Sequence, residues 1–189
     1  MLHSKRVAAV IAAVWLSGFG CAPGAFTGPA ASAPNLGQFV PTPMEVVERM
    51  LELAEVTADD VVYDLGSGDG RIVMLAASRY GARAVGVEID PVLVWFSRRD
   101  AEQARVDHLV SFLHQDALAV DVSPATVVTL YLTPQANLLL RPILQKQLRP
   151  GARVISHAHD MGDWVPDRVA RIRSKAGEEH TLFLWRIRR

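Results

Sequence analysis

The chain has 189 residues, half of them hydrophobic, with 20 basic and 20 acidic side chains and a formal net charge of zero at pH 7. That length suits one compact domain with a real core, and the charge balance offers no basic face for DNA or RNA, so a nucleic-acid partner is not expected. The single cysteine, Cys21, excludes an internal disulfide and leaves the compartment to be read from the N-terminus.

There Lys5 and Arg6 precede an uncharged, mostly apolar stretch from Val7 to Gly20, followed by small residues, which is the layout of a secretory signal. Its 14 residues fall short of the roughly 18 that a spanning helix needs. Residues 1–21 are therefore expected to be a signal peptide or an N-terminal anchor. The protein is expected to be exported or membrane-associated, with the cytoplasmic face of a membrane as the alternative. Cys21 leaves lipoprotein processing open, although Gly18-Phe19-Gly20 departs from the leucine-containing pattern that lipidation favours. Residues 22–37, dominated by Ala, Pro and Gly without apolar periodicity, read as a linker, and the folded domain is expected over residues 38–189.

Within that domain a helix is expected from Pro43 to Ala54, with Thr42 as its cap and Val46, Val47, Met50, Leu51 and Leu53 on its apolar side. Val61-Val62-Tyr63 is a short apolar run of buried-strand type that ends at Asp64. A glycine-rich turn, Asp64-Leu65-Gly66-Ser67-Gly68-Asp69-Gly70, leads into a helix through Ile72, Val73, Leu75, Ala76 and Ala77. The second strand, Ala84 to Val87, ends on Glu88, and Asp90-Pro91 caps a helix running to about Arg105. Leu109 to His114 and Thr126 to Leu132 read as the third and fourth strands. Asn137 to Leu148 reads as a helix stopped by Pro150-Gly151, and Arg153 to Ser156 as the fifth strand. Val169 to Arg173 and Thr181 to Ile187, separated by Lys175-Ala176-Gly177-Glu178, form a closing antiparallel hairpin. The alternation gives the fold class: α/β, a mostly parallel seven-stranded sheet with a C-terminal antiparallel hairpin and helices on both faces.

A strand, a glycine turn and a helix in succession place a ligand at the carboxyl edge of such a sheet. The spacing Gly66-x-Gly68-x-Gly70 lacks the third glycine of a dinucleotide fingerprint, so no pyrophosphate is expected. The acidic Asp64 suits a ligand with a positively charged amino group. Glu88, 22 residues past Gly66, can accept from both hydroxyls of a ribose, and Asp116, beyond the third strand, can meet an exocyclic amine. Three such features at consecutive strand ends, in order, point to a nucleoside-like ligand.

The run Asp64 to Val73 together with Gly86-Val87-Glu88 resembles class I S-adenosylmethionine-dependent methyltransferases, which have a Rossmann-like fold. Phe39-Val40-Pro41, the Asp69-Gly70-Arg71-Ile72 extension, and Ala152-Arg153-Val154-Ile155 followed by Trp164 resemble, more narrowly, bacterial relatives of the protein-lysine methyltransferases that modify the ATP synthase c-subunit. The resemblance spans roughly Gln38 to Ile187. It implies S-adenosyl-L-methionine as cofactor, held by Asp64, Gly66, Ser67, Gly68, Asp69, Gly70, Glu88, Ile89, Asp116 and Ala117, with Thr42 beside them. Phe39, Pro41 and Thr42 would form an N-terminal flap over it, an ordinary strand-to-helix entry being the alternative. The implied activity is direct in-line methyl transfer to an amine, by a protein-lysine N-methyltransferase. A small-molecule methyltransferase, or a non-catalytic module that binds the cofactor or another nucleotide, are the alternatives. The expected acceptor is accordingly a protein or a small molecule, the expected state a monomer, and membrane association an expectation carried by the N-terminus.

Methyl transfer needs a positioned nucleophile and, for an amine, loss of its proton. Candidates lie beyond the fourth and fifth strands: Tyr131, Thr133 and Pro134, then His157, His159, Asp160 and Trp164. Tyr131 and His157 are the catalytic candidates, Tyr131 as a hydrogen-bond partner of the amine and His157 as a base titrating near neutrality. Trp164 walls a substrate channel or simply packs. Leu130-Tyr131-Leu132-Thr133-Pro134 lacks the Asn/Asp-Pro-Pro-aromatic run of amino-methylating nucleic-acid enzymes. His157 and His159 would share one face of a strand, but no third ligand is evident and no metal is expected.

Overall fold

Strands that are apolar on both sides must be covered on both sides, and the core divides accordingly. The computed structural model describes residues 39–188, and these fold around a seven-stranded sheet. Its strands are β1 (Val61–Leu65), β2 (Arg83–Glu88), β3 (Val110–His114), β4 (Val127–Leu130), β5 (Arg153–His157), β6 (Arg168–Arg173) and β7 (Glu179–Arg186). Their order is β3-β2-β1-β4-β5-β7-β6. β1 to β5 run parallel, and β7 lies antiparallel between β5 and β6. The helices are α1 (Met44–Leu53), α2 (Arg71–Tyr80), α3 (Pro91–Gln103) and α4 (Pro134–Gln147).

Strand side chains alternate between faces, so neighbouring positions build two different cores. Val62, Val127, Ile155, Leu182 and Leu184 meet Val47, Met50 and Leu51 of α1 and Ile72 and Val73 of α2, and the same cluster takes in Val94 and Ala101 of α3. Tyr63, Leu65, Val128, Leu130, Val154 and Trp185 meet Leu140 and Leu144 of α4. Helices therefore cover both faces, and the expected mostly parallel sheet with its closing hairpin is what forms.

Most element ends fall within a residue or two of the expected ones, and the differences at β4, α4, α3 and α1 have local reasons. β4 stops at Leu130 rather than Leu132, and α4 starts at Pro134 rather than Asn137. The Thr133 hydroxyl accepts from the Ala136 N–H at 3.2 Å, and Pro134 takes the first helical turn, where no N–H is needed. α3 ends at Gln103, and Arg105 has φ 57°, which a continuing helix does not allow. At α1 the cap position falls to Pro43 with no side-chain cap at all, so Thr42 does not cap the helix. The expected signal or anchor over residues 1–21, Cys21 and the linker over 22–37 lie outside the described residues. Among those described, no helix is long and apolar enough to cross a membrane.

At the amino ends of the strands, the Asp60 carboxylate accepts from the Thr57 N–H at 2.8 Å and the Thr126 hydroxyl at 2.6 Å, and it pairs with Arg153. Arg153 also donates to the carbonyls of Ala54 and Glu55, at 2.9 and 3.1 Å. One largely buried ion pair thus ties the end of α1 to β1, β4 and β5. Asp60→Ala strands the guanidinium and is expected to lower the unfolding free energy by about 3 kcal/mol, read as an earlier urea midpoint; an unmoved midpoint would show that the pair does not hold the sheet.

Candidate active site

The candidates that the strands carry sit at the carboxyl ends of the parallel strands, on either side of the point between β1 and β4 where the strand order reverses. Doubly wound sheets bind ligands there. Residues 66–70 follow β1, Glu88 and Ile89 close β2, and Asp116 and Ala117 lie past β3 on one flank. Tyr131 follows β4 and His157 closes β5 on the other.

The turn after β1 is held from within. The N–H groups of Gly66 and Ser67 donate to the Val87 carbonyl at 2.8 and 3.0 Å, and that of Gly70 to the Ser67 carbonyl at 2.9 Å. The Gly68 N–H donates to Glu88 Oε2 at 2.9 Å. These amides therefore turn inward and do not form an anion cradle, in keeping with the glycine spacing. Gly68 has φ +55°, and a Cβ there would lie within 2.4 Å of the Phe39 ring. The Phe39 ring thus lies against the turn.

Glu88 is 9% exposed. Its Oε1 accepts from the Ile89 and Asp90 N–H groups at 2.8 and 2.9 Å, so three backbone donors already fix the carboxylate. A carboxylate has about four acceptor positions, which leaves capacity for one more donor. Asp116 is similarly fixed through Oδ1, which accepts from the Leu118 N–H at 2.9 Å. Ala117 is buried, and Ile89 is exposed at the rim.

Asp64 lies inside β1 and is buried. Burial pushes its carboxyl up to about 7 against the pull of the Thr129 hydroxyl, which donates to Oδ1 at 2.7 Å, and the negative Glu88 and Asp69 raise it further. The Ser67 hydroxyl is buried without a partner.

Asp69 is engaged twice by Arg71, whose Nε stands 2.9 and 3.0 Å from its two oxygens. Arg71 in turn donates to the Thr42 carbonyl at 2.8 Å. Arg71, which the motif alone does not single out, thus joins the glycine turn to the segment ahead of α1. Thr42, not a helix cap, is buried with its hydroxyl 3.4 Å from His157 Nδ1.

At the ends of β4 and β5 the Tyr131 and His157 rings stack at 4.0 Å between centroids, tilted by 32°. His157 is 1% exposed, and its Nε2 lies 3.0 Å from His180 Nδ1. Burial first, then the His180 and His159 rings, push His157 down to about 4, so the imidazole is neutral at physiological pH. Burial thus removes the ordinary titration range on which a base role near neutrality depended. Nor do His157 and His159 share a strand face: β5 ends at His157 and Ala158 turns with φ 68°. His157's ring partner is instead His180, 23 residues on. The sequence offered no signal for it beyond a histidine in the expected hairpin.

Thr133 and Pro134 are used in starting α4. Trp164 packs against Trp185 at 5.6 Å between ring centroids, and its carbonyl accepts from the Trp185 Nε1–H at 2.7 Å. Asp160 Oδ1 closes a local turn on the Gly162 N–H. Among the described residues no three His, Cys, Asp or Glu side chains group to hold a metal.

The acceptors Asp64, Glu88 and Asp116, together with the unpartnered Ser67 hydroxyl, fit a ligand that presents an ammonium and hydroxyls and carries no phosphate. The cation in the motif, Arg71, is already taken by Asp69 and Thr42.

Comparison with known proteins agrees with this geometry. The ANTKMT methyltransferase domain matches residues 64–168. A protein-lysine N-methyltransferase of Saccharolobus islandicus is 42% identical over 150 residues, which is 79% of this chain and 92% of that protein. The human lysine N-methyltransferase of the ATP synthase c-subunit is 37% identical over 131 residues, 69% of this chain and 55% of that longer protein. A crystal structure described as an RNA methyltransferase from Salinibacter ruber, in complex with S-adenosyl-L-homocysteine, is 55% identical with a TM-score of 0.74 and covers 78% of this chain and 94% of that one. The chain belongs to the ANTKMT methyltransferase family and is an S-adenosylmethionine-dependent methyltransferase.

Proposed function

We propose that the enzyme methylates lysine side chains of a protein. The observation that carries this is the match to the Saccharolobus protein-lysine N-methyltransferase over 92% of that protein's length. The absence of an Asn/Asp-Pro-Pro-aromatic run after β4 supports it. On this reading Glu88 accepts from a ribose hydroxyl, Asp116 meets the adenine edge, and Ile89 and Ala117 flank the base. Ser67 supplies a hydroxyl, Asp64 takes the ammonium, and the turn through Gly66, Gly68, Asp69 and Gly70 gives the close backbone approach. Phe39, Pro41 and Thr42 cover the pocket, held down by Arg71. Bound S-adenosylmethionine supplies an electrophilic methyl on a sulfonium. The protein's own task is to exclude water, aim the amine and remove its proton, with Tyr131 and His157 facing the acceptor side.

An RNA acceptor is the second reading, favoured by the description of the 55% identical Salinibacter enzyme. Labelled cofactor, purified enzyme and host extract separate the two. Label expected in protein, lost to protease and recovered as methyl-lysine, supports the first reading, whereas label removed by ribonuclease overturns it.

The N-terminal reading stands on sequence alone, through Lys5-Arg6 and the apolar run to Gly20: the enzyme works at a membrane or beyond one. N-terminal sequencing of the mature protein from cell fractions tests this, and an intact Met1 in the soluble cytoplasm refutes it.

Asp64 gives a signed pH prediction. Its carboxyl is raised in the folded state, so the ligand-free protein binds an extra proton between the ordinary carboxylate range and about pH 7. Stability of the free protein therefore falls as pH rises across that window and levels above it. A ligand ammonium beside Asp64 favours the carboxylate, so cofactor binding should release a proton and tighten as pH rises through about 7. Calorimetry at pH 6.5 in buffers of different ionisation enthalpy reads the release. Equal heats, with an affinity flat from pH 6 to 8, would remove Asp64 from the site.

Gly68→Ala forces a Cβ against Phe39 at a left-handed backbone position. We expect at least a tenfold weaker cofactor Kd, on the order of 1.4 kcal/mol, with Phe39→Ala restoring part of it; a wild-type Kd for Gly68→Ala would show that the flap does not rest on the turn.

A further inference from the structure

An amine acceptor arrives at neutral pH as an ammonium and must lose a proton before its lone pair can attack. The imidazole that stacks on Tyr131, His157, is 1% exposed. It does have a neighbour that reaches the edge. His157 Nε2 lies 3.0 Å from His180 Nδ1, and the His180 side chain is 12% exposed, with its Nε2 3.9 Å from Glu178 Oε2. That His180 Nε2 is itself buried without a hydrogen-bond partner, although it is one of the two nitrogens through which the ring can pass a proton on. At the inner end, His157 Nδ1 faces the Thr42 hydroxyl at 3.4 Å and the ring lies against Tyr131.

We propose that His157 and His180 form a two-ring proton exit from the acceptor amine to solvent at Glu178, a role that rests on the acceptor being an amine. In the starting tautomer both rings carry hydrogen on Nε2. As the ammonium N–H bond breaks, its proton passes to His157 Nδ1, directly or through the Thr42 hydroxyl. The His157 Nε2–H bond breaks as His180 Nδ1–H forms, and the proton on the buried His180 Nε2 passes to the Glu178 carboxylate, 3.9 Å away, which is exposed and gives it up to water. One proton enters and one leaves, with no redox change. The rings regain their starting tautomers when the emptied site exchanges a proton with solvent.

The surroundings favour transit over storage. Burial and the two nearby histidine rings disfavour a charged His157, so a proton arriving there is handed on. The groups facing the pair are Thr42 ahead of α1, Tyr131 after β4, His159 after β5, and Glu178 leading into β7. Glu45 of α1, whose carboxylate accepts from the Lys175 N–H at 2.7 Å, adds negative charge on the outer side. Glu178 and Glu45 thus place carboxylates on the outer side of His180, with the Lys175 ammonium beside Glu45. His180 acts through His157 and is a positioning and relay residue, not one that touches the acceptor.

The test is single-turnover methylation of the protein acceptor by the full-length enzyme from pH 6 to 10, for wild type, His180→Gln and Glu178→Gln, with cofactor Kd measured alongside. His180→Gln keeps hydrogen-bonding capacity and cannot relay. Its rate at pH 7 should fall by about tenfold or more, with acceptor KM and cofactor Kd within twofold of wild type. The deficit should shrink towards pH 10, where the amine deprotonates in water. Glu178→Gln, an exposed position, should show a smaller loss with the same pH recovery, and the wild-type rate should drop in D2O with a curved proton inventory. A His180→Gln rate equal to wild type throughout the pH range overturns the relay, as does a loss that is the same at every pH. If His180→Gln does not fold, a wild-type solvent isotope effect of one overturns it. Wild-type turnover on RNA and not on protein overturns the acceptor reading and the relay with it. Full lysine turnover with an unaffected His180→Gln overturns the relay alone.

Discussion

The Glu88 carboxylate is the constraint from which the rest of the site follows. It closes over the N–H groups of Gly68, Ile89 and Asp90, so it ties the turn after β1 to the end of β2 at the point where two parallel strands release their chains. Charge-assisted hydrogen bonds to backbone are among the stronger polar contacts in a folded protein, and three on one buried carboxylate leave it little freedom. The Ser97 hydroxyl adds a further hold, donating to the Gly68 carbonyl at 3.1 Å from α3. The turn is consequently rigid before any ligand arrives, which lowers the ordering cost of binding.

From that fixed turn a chain of contacts crosses to the ends of β4 and β5. Asp69 orients Arg71, Arg71 holds the Thr42 carbonyl, and the Thr42 hydroxyl faces His157. Thr42 thus belongs to both halves. A change in the glycine turn reaches the imidazole through three side chains, and Thr42 cannot shift without loosening contacts on each flank. That coupling suits an enzyme whose cofactor and acceptor must be aligned to within a fraction of an ångström for in-line displacement.

Periodicity and turn chemistry made the sheet legible. Val61-Val62-Tyr63 and Val127–Leu130 carry apolar or β-branched residues at consecutive positions because both faces are covered, and Asp90-Pro91 marks α3 because the Asp90 carboxylate accepts from the Val92 N–H. What stayed illegible depends on register or competition. Thr42 and Thr133 precede Pro43 and Pro134 in the same way, and only Thr133 caps, because the hydroxyl of Thr42 faces His157 instead. His157 pairs with Leu182 across β5 and β7, so His180, two residues from Leu182 and on the same face, falls beside it. No spacing in one strand predicts that diagonal, because antiparallel register is set by where the hairpin turns. The Asp64 shift is invisible for a similar reason: it needs burial and two further carboxylates brought in from other segments.

The same carboxylates bear on turnover. Asp64, Asp69 and Glu88 concentrate negative charge at the strand ends, and burial makes Asp64 reluctant to ionise until a cation is present. On the proposed assignment the cofactor brings two positive charges, its ammonium and its sulfonium, whereas the product keeps only the ammonium. Attraction at close range in a partly buried site is worth several-fold more than in water, so loss of the sulfonium charge weakens the hold on the product while the Glu88 contact with the ribose is unchanged. On that assignment the acidic strand ends distinguish cofactor from product by charge.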